Sequence, residues 1–311
     1  MNQTRLNWVL RALALCVWCL AAPCDGAGLR VVVTIPPLKG IIEPLLPEGS
    51  SVAVLMTPGR SEHNYEFTPS DMARVGGANL VVCVGLGLEQ QLQQFLESHT
   101  SPKRVDLSLG AAAGVEQAAD SDDQASEGES EHHHGAVDPH VWLDPVLVEA
   151  ALPRLADGVR DAMKATGIWN DDAKKHLEDA LASEQAEVAK LNLAFQEALA
   201  KFKGDKIVTH HAAFGRLANR YGLVVAEVIR VNEGEEPTPG RIAAIVQAVR
   251  KEGVTAIYVE PQFSSATAER IASAAGVRVV KLDPLGNGDW IAMMQENLNG
   301  LVAGLSKAKN K

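Results

Sequence analysis

Four histidines and one aspartate lie where their side chains could bind a metal ion. His63 follows a predicted strand, His210 and His211 follow another, Asp283 follows a third, and His140 lies just ahead of a predicted helix. Imidazole and carboxylate groups are ligands for divalent transition metals. A single histidine in a loop more often has a structural role, and Asp283 could instead cap a turn. Their joint placement nevertheless predicts one metal site to which these places contribute together.

Alternating strands and helices would position these side chains. Short runs rich in β-branched residues predict strands over 29–35, 51–57, 79–85 and 104–107, and again over 206–209, 223–229, 255–260 and 278–282. Helical segments separate most of these runs, which is typical of parallel sheets flanked by helices. Such sheets bind ligands beyond the carboxyl ends of their strands. We therefore predict an α/β protein with two lobes, each with a mainly parallel sheet, and a metal site in the cleft between them.

One long segment separates the two halves. Residues 171–202 contain no glycine or proline, and their apolar residues recur at three-, four- and seven-residue steps. This periodicity predicts a single long helix that acts as a rigid connection. We therefore predict a first lobe over 28–168, a linking helix over 169–203 and a second lobe over 204–311.

The N-terminus has the features of an export signal. Arg5 and Arg11 lie before a short apolar run, and small residues follow it. This pattern predicts a signal peptide over 1–27 and a periplasmic mature chain. Cys24 could instead carry a lipid, but a proline precedes it. Cleavage would leave Cys83 as the single cysteine, in an apolar strand, so the metal ligands must be histidine and carboxylate.

An acidic insertion interrupts the first lobe over 112–136. Residues 116–134 contain seven acidic residues and no lysine or arginine, and they include His132, His133 and His134. This composition predicts a disordered loop, which either binds metal weakly or is simply a solvated insertion. The formal net charge of -10 argues against a nucleic-acid partner, which would require a basic face.

Six motifs identify a family. They are SEHNYEFTPSDMARVGGANLVVCVG (61–85), HVWLDP (140–145), THHAAFGRLANRYGL (209–223), EEPTPGRI (235–242), VEPQFSS (259–265) and LDPLG (282–286). On these motifs the mature chain resembles the metal-binding solute-binding proteins of ABC importers (cluster A-I), and specifically their ZnuA-like zinc branch. The resemblance covers essentially the whole mature chain. It implies a C-shaped fold in which one long helix joins two α/β lobes and the metal is buried between them.

The same resemblance implies a ligand set. His63, His140 and His211 match the three histidine ligands of the family, and Asp283 matches the aspartate that is the fourth ligand in many members. The family's ligand histidine is followed by two residues and then an aromatic, a pattern that His211 fits and its neighbour His210 does not. Zinc members sometimes fill the fourth position with water or a nearby carboxylate, so Glu62 is the less favoured substitute for Asp283. Zinc is the expected ion, because imidazole suits zinc whereas manganese favours carboxylate oxygen, and because manganese carriers of the family typically have a carboxylate where this chain has His211.

The implied function is binding rather than catalysis. The chain is expected to act as a monomer that captures Zn²⁺ with high affinity in the periplasm and delivers it to an ABC permease and its ATPase. One alternative is a manganese- or iron-binding protein, or an adhesin, on the same scaffold. A zinc hydrolase is less favoured: Glu62 or Glu260 could act as its base, but the sequence contains no HExxH motif.

Overall fold

The computed structural model describes residues 28–57, 59–115, 137–230 and 236–306, and these residues form two lobes. Each lobe contains a four-stranded parallel sheet, with strand order β2-β1-β3-β4 in the first and β6-β5-β7-β8 in the second. The strands are β1 (Arg30–Val33), β2 (Ser51–Val54), β3 (Leu80–Cys83), β4 (Val105–Ser108), β5 (Lys206–Thr209), β6 (Val224–Val228), β7 (Ala256–Val259) and β8 (Arg278–Lys281). This architecture confirms the predicted fold class.

The α-helices of the described residues flank these sheets or connect them. They are α1 (Pro36–Ile42), α2 (Pro69–Gly76), α3 (Gln90–Ser98), α4 (Leu109–Ala112), α5 (Pro145–Thr166), α6 (Asp171–Leu199), α7 (Gly215–Tyr221), α8 (Pro239–Lys251), α9 (Ala266–Ala275) and α10 (Trp290–Leu305). None of them is both long enough and apolar enough to cross a membrane. The predicted signal peptide and residues 116–136 of the predicted acidic loop, with its three adjacent histidines, lie outside the described residues.

Local capping signals explain where several helices begin. The Thr68 hydroxyl accepts a hydrogen bond from the amide of Asp71, whose carboxylate accepts one from the amide of Thr68, so α2 begins with a complete capping box. Asp144 caps α5 and Asn170 caps α6 in the same way, each through a side-chain oxygen. These caps fix the positions at which the three helices begin.

Helix α6 is the long connection between the lobes, and a short 3-10 turn (Ala200–Phe202) continues it to the end of the predicted segment. One of its faces is buried, through Leu177, Val188, Leu191, Phe195 and Leu199. These side chains belong to a hydrophobic core that draws residues from both lobes. Burial along a single stripe is the reason for the helical periodicity of the sequence.

Cys83 lies at the end of β3, as predicted, but it is half-buried rather than fully enclosed. Its thiol donates a hydrogen bond to the carbonyl of Leu107 at 3.4 Å. Burial raises the pKa of the Cys83 thiol well above its ordinary value. The thiol is therefore protonated at neutral pH, and Cys83 is not among the residues that converge on the candidate metal site.

Candidate metal centre

Three short 3-10 turns place the predicted histidines. His63 lies within the turn Glu62–Asn64, and the Ser61 hydroxyl accepts a hydrogen bond from the His63 amide at 3.2 Å. His140 and His211 each immediately precede such a turn, Val141–Leu143 and Ala212–Phe214. The turn Ala212–Phe214 begins three residues after the end of β5, at the carboxyl end of the second sheet. Short turns of this kind fix the backbone at each histidine, so the imidazoles have defined directions.

The imidazole Nε2 atoms converge on one point. His140 Nε2 lies 3.2 Å from His63 Nε2 and 3.4 Å from His211 Nε2. Glu62 Oε1 lies 3.5 Å from His140 Nε2 and 3.6 Å from His211 Nε2. Zinc–nitrogen bonds of about 2.0–2.1 Å in a tetrahedron would separate the donor atoms by about 3.3–3.4 Å. These four donor–donor distances are close to the edges of a tetrahedral zinc site, and all the ligand atoms of the four side chains lie within 4.8 Å of one another.

A bound cation would compensate the buried negative charge of Glu62. Its side chain is 0% exposed, and neither carboxylate oxygen has a hydrogen-bond partner among the described residues. Burying a carboxylate without compensation costs several kcal/mol. Burial opposes its ionisation, but the interactions with His140 and His211 outweigh that effect and lower the pKa of Glu62 below its usual range. Glu62 is thus a buried anion that faces three imidazole nitrogens.

Two further carboxylates contact the other ring nitrogen, Nδ1, of two of these imidazoles. Asp138 Oδ1 lies 2.7 Å from His140 Nδ1, and Glu260 Oε2 lies 2.6 Å from His211 Nδ1. Each carboxylate also accepts a hydrogen bond from the backbone amide of the same histidine. A carboxylate on Nδ1 fixes the tautomer that leaves Nε2 available to a metal. The sequence pattern did not indicate Asp138, although it stands only two residues before His140, and it suggested Glu260 only as the base of a hydrolase.

These contacts set the protonation of the ion-free site. Burial disfavours the charged form of His211, but Glu260 and Glu62 more than compensate and raise its pKa to about 10. The pKa of His140 is also raised, because Asp138 and Glu62 outweigh burial. His63 differs, since burial of its ring lowers the pKa to about 4. At neutral pH the ion-free site therefore combines one neutral imidazole with two imidazoles that hold protons more strongly than usual.

Asp283, the predicted fourth ligand, lies outside this group. The four residues whose ligand atoms all lie within 4.8 Å of one another are Glu62, His63, His140 and His211. Asp283 Oδ1 instead accepts hydrogen bonds from the amides of Leu285 at 3.1 Å and Gly286 at 2.9 Å. Its other oxygen, Oδ2, lies 3.4 Å from Lys281 Nζ. Asp283 therefore has the contacts of a residue that caps a turn, whereas Glu62 lies beside the three histidines.

His210, the neighbour of His211, does not join the group. Its side chain is completely buried, and its ring packs edge-on against Phe263 with a centroid distance of 4.9 Å. Burial lowers its pKa to about 4, so the ring is neutral at physiological pH. This position is consistent with the choice of His211 over His210.

Comparison with known proteins decides the family. The profile of the family described as zinc-uptake complex component A, periplasmic, matches residues 31–304. The chain belongs to this family. This membership confirms the resemblance seen in the motifs. It also confirms the prediction that the chain is not an enzyme, since the family consists of solute-binding proteins.

Individual members of the family show the same likeness. The high-affinity zinc uptake system protein ZnuA of Yersinia pestis is 28% identical over 297 residues, which are 91% of each chain. A crystal structure of ZnuA superposes with a TM-score of 0.71 at 26% identity, covering 89% of this chain and 99% of that one. The Zn(II)-bound ZnuA-like domain of Streptococcus pneumoniae AdcA has a TM-score of 0.69 at 26% identity, with 89% and 98% covered.

Proposed function

We propose that this protein captures Zn²⁺ outside the cytoplasm with high affinity and delivers it to an ABC permease for uptake. The ligands in this proposal are His63, His140, His211 and Glu62. The observation that carries it is the convergence of their donor atoms within 4.8 Å of one another, one of them from a buried carboxylate that has no hydrogen-bond partner among the described residues. Family membership and the zinc-bound relative support the same ion.

The donor set favours zinc over manganese or iron. Three imidazoles and one carboxylate give a borderline-soft, four-coordinate site, whereas manganese prefers more oxygen ligands and a larger coordination number. With neutral imidazoles, the ion and its carboxylate carry a net charge of about +1. Copper binds such ligands more strongly still, so preference for zinc over copper depends on site geometry and metal supply.

Both lobes contribute to the proposed site. In this proposal residues 28–168 and 204–311 form the lobes, residues 169–203 connect them, and residues 1–27 direct export to the periplasm. Glu62, His63 and His140 would come from the first lobe and His211 from the second. Because the second lobe supplies one ligand, a permease that separates the lobes would remove that ligand and weaken the site enough for transfer. The protein would do this as a monomer docked on the permease–ATPase complex.

Competition titration of the purified mature protein tests the proposal. We expect one tight zinc site and much weaker manganese binding, because the donors are mainly nitrogen. Replacing His211 by alanine should abolish tight zinc binding, whereas the exposed His99→Ala variant is a matched control that should bind as the wild type does. Comparable affinities for zinc and manganese would contradict the choice of zinc. Tight binding by the His211→Ala variant would contradict the choice of ligands.

A further inference from the structure

The second lobe holds the backbone on one side of His140, although His140 belongs to the first lobe. Arg216, on helix α7, donates hydrogen bonds from Nε and Nη2 to the carbonyl oxygen of Asp138, at 2.8 and 2.6 Å. The carboxylate of Asp138 simultaneously holds His140 Nδ1 at 2.7 Å. Asp138 therefore connects an arginine of the second lobe to an imidazole of the first.

A second arginine of the same helix holds the other side of His140. Arg220 lies four residues after Arg216, so both side chains project from one face of α7. Its Nε and Nη2 contact both carboxylate oxygens of Asp144, at 2.7–3.0 Å. Asp144 is 4% exposed in its side chain, and it also caps helix α5. A bidentate arginine–carboxylate pair in such an environment fixes both distance and direction.

Trp142, between the two held positions, adds further links across the lobes. Its indole Nε1 donates to the carbonyl of Pro284 at 2.6 Å, and the indole of Trp290 donates to the carbonyl of Trp142 at 2.8 Å. The Trp142 ring is fully buried and lies 5.1 Å from the His140 ring. The segment from Asp138 to Asp144 is thus fixed at both ends and in the middle by residues of the second lobe.

We propose that Arg216 and Arg220, here called the arginine pair, are positioning residues for zinc, because they fix from the second lobe the direction in which His140 faces the ion. Neither side chain is among the candidate ligands, so the effect passes through Asp138, Asp144 and the backbone between them. This inference rests on the proposed zinc function. In addition to supplying the ligand His211, the second lobe would orient His140, a ligand of the first lobe.

The double substitution Arg216→Gln and Arg220→Gln tests the pair. Removing a partner that orients a metal ligand typically weakens metal binding about 10- to 100-fold, so we expect a zinc dissociation constant at least about tenfold higher. Arg270→Gln, an exposed change on α9 of the same lobe, is the matched control and should leave affinity unchanged. The double Arg→Lys variant should recover part of the loss, because lysine keeps the charge but not the bidentate geometry. Melting of the metal-free variants shows whether each one folds.

A double-mutant cycle separates positioning from a general loss of structure. In a His140→Ala background, measured against a weaker chelator, removing the arginine pair should change zinc affinity by less than about twofold, because the ligand that the pair positions is already absent. An equal loss in both backgrounds would overturn the proposal.

Nitrogen NMR of the zinc-loaded double variant gives an independent readout. The ring signals of His140 should change while those of His63 and His211 remain. Equal changes at all three histidines would also overturn the proposal. A wild-type protein without a tight zinc site would refute the proposed function itself, whereas tight wild-type binding that the double variant retains would refute only the role of the pair.

Discussion

Replacing Glu62 by glutamine should weaken zinc binding strongly without altering the shape of the site. Glutamine has nearly the same volume as glutamate, so the turn Glu62–Asn64 should keep its conformation. The change removes the negative charge from a side chain that is 0% exposed and that faces His140 and His211. Since water does not screen this position, the lost interaction with Zn²⁺ should appear almost fully in the affinity.

The expected size follows from two opposing effects. Removing one partner of a buried charge pair costs about 3–5 kcal/mol, which corresponds to roughly a hundredfold to a few thousandfold in the dissociation constant. Glu62 also raises the pKa of His140 and His211 in the ion-free protein. Its removal would therefore make those imidazoles release protons more easily and would recover part of the loss. We therefore expect the zinc dissociation constant to rise about a hundredfold, near the lower limit of that range.

Chelator competition at constant pH measures this effect, and Asp283→Asn is the informative comparison. Asparagine retains a carbonyl oxygen that can accept the hydrogen bonds from Leu285 and Gly286, so we expect its affinity to stay within about threefold of wild type. Melting curves of both metal-free variants control for folding. A larger loss for Asp283→Asn than for Glu62→Gln would refute this reasoning, because it would mean that the bound state recruits Asp283 by a rearrangement.

Two further predictions concern protons and the acidic segment. Zinc binding near pH 7 should release protons, because His211, whose pKa is raised to about 10, holds a proton in the ion-free site and must lose it to bind metal. The raised pKa of His140 should add to this release. The affinity should then fall about tenfold per pH unit of acidification for each proton released. Calorimetry in buffers of different ionisation enthalpy measures the release, and a result of no release would contradict this prediction. Deleting residues 116–134 should leave the zinc dissociation constant within about threefold of the wild-type value, since all four candidate ligands lie elsewhere in the chain. A competition titration measures this, and loss of tight binding would show that the site is misplaced.

The sequence predicted the fold well because its local signals agree with the packing. The segment 206–209 is the strand β5, and the predicted long helix over 171–202 is α6 together with the 3-10 turn that continues it. Most other predicted strands extend one to three residues beyond the observed ones. The hydrophobic pattern marks burial, and burial continues past the last ladder hydrogen bond, as the buried Leu29 and Ile35 on either side of β1 show.

The site was harder to predict, because the position of a residue in the chain does not specify the direction in which its side chain points. Glu62 and His63 are adjacent, and adjacent side chains in a strand would point to opposite faces. In the 3-10 turn they are only about 120° apart, and both reach the same point. Asp283 stands at a strand end, where the ligand rule favours it, but the amides of Leu285 and Gly286 hold its carboxylate in a turn. The sequence offered this turn-capping role only as an alternative, because it does not show how well the nearby backbone amides are placed to hold the carboxylate.

The charges of the site suggest how capture can occur without a large electrostatic reorganisation. When His140 and His211 are both protonated, the ion-free site contains two positive imidazoles and one negative carboxylate, which sum to +1. The same residues with Zn²⁺ and neutral imidazoles also sum to +1. Exchange of two protons for one zinc ion would therefore leave the net charge unchanged, so Asp138 and Glu260 would face the same total charge before and after capture. Under the proposed function, delivery would then require a change in geometry, and separating the proposed ligand His211 from Glu62, His63 and His140 would provide that change.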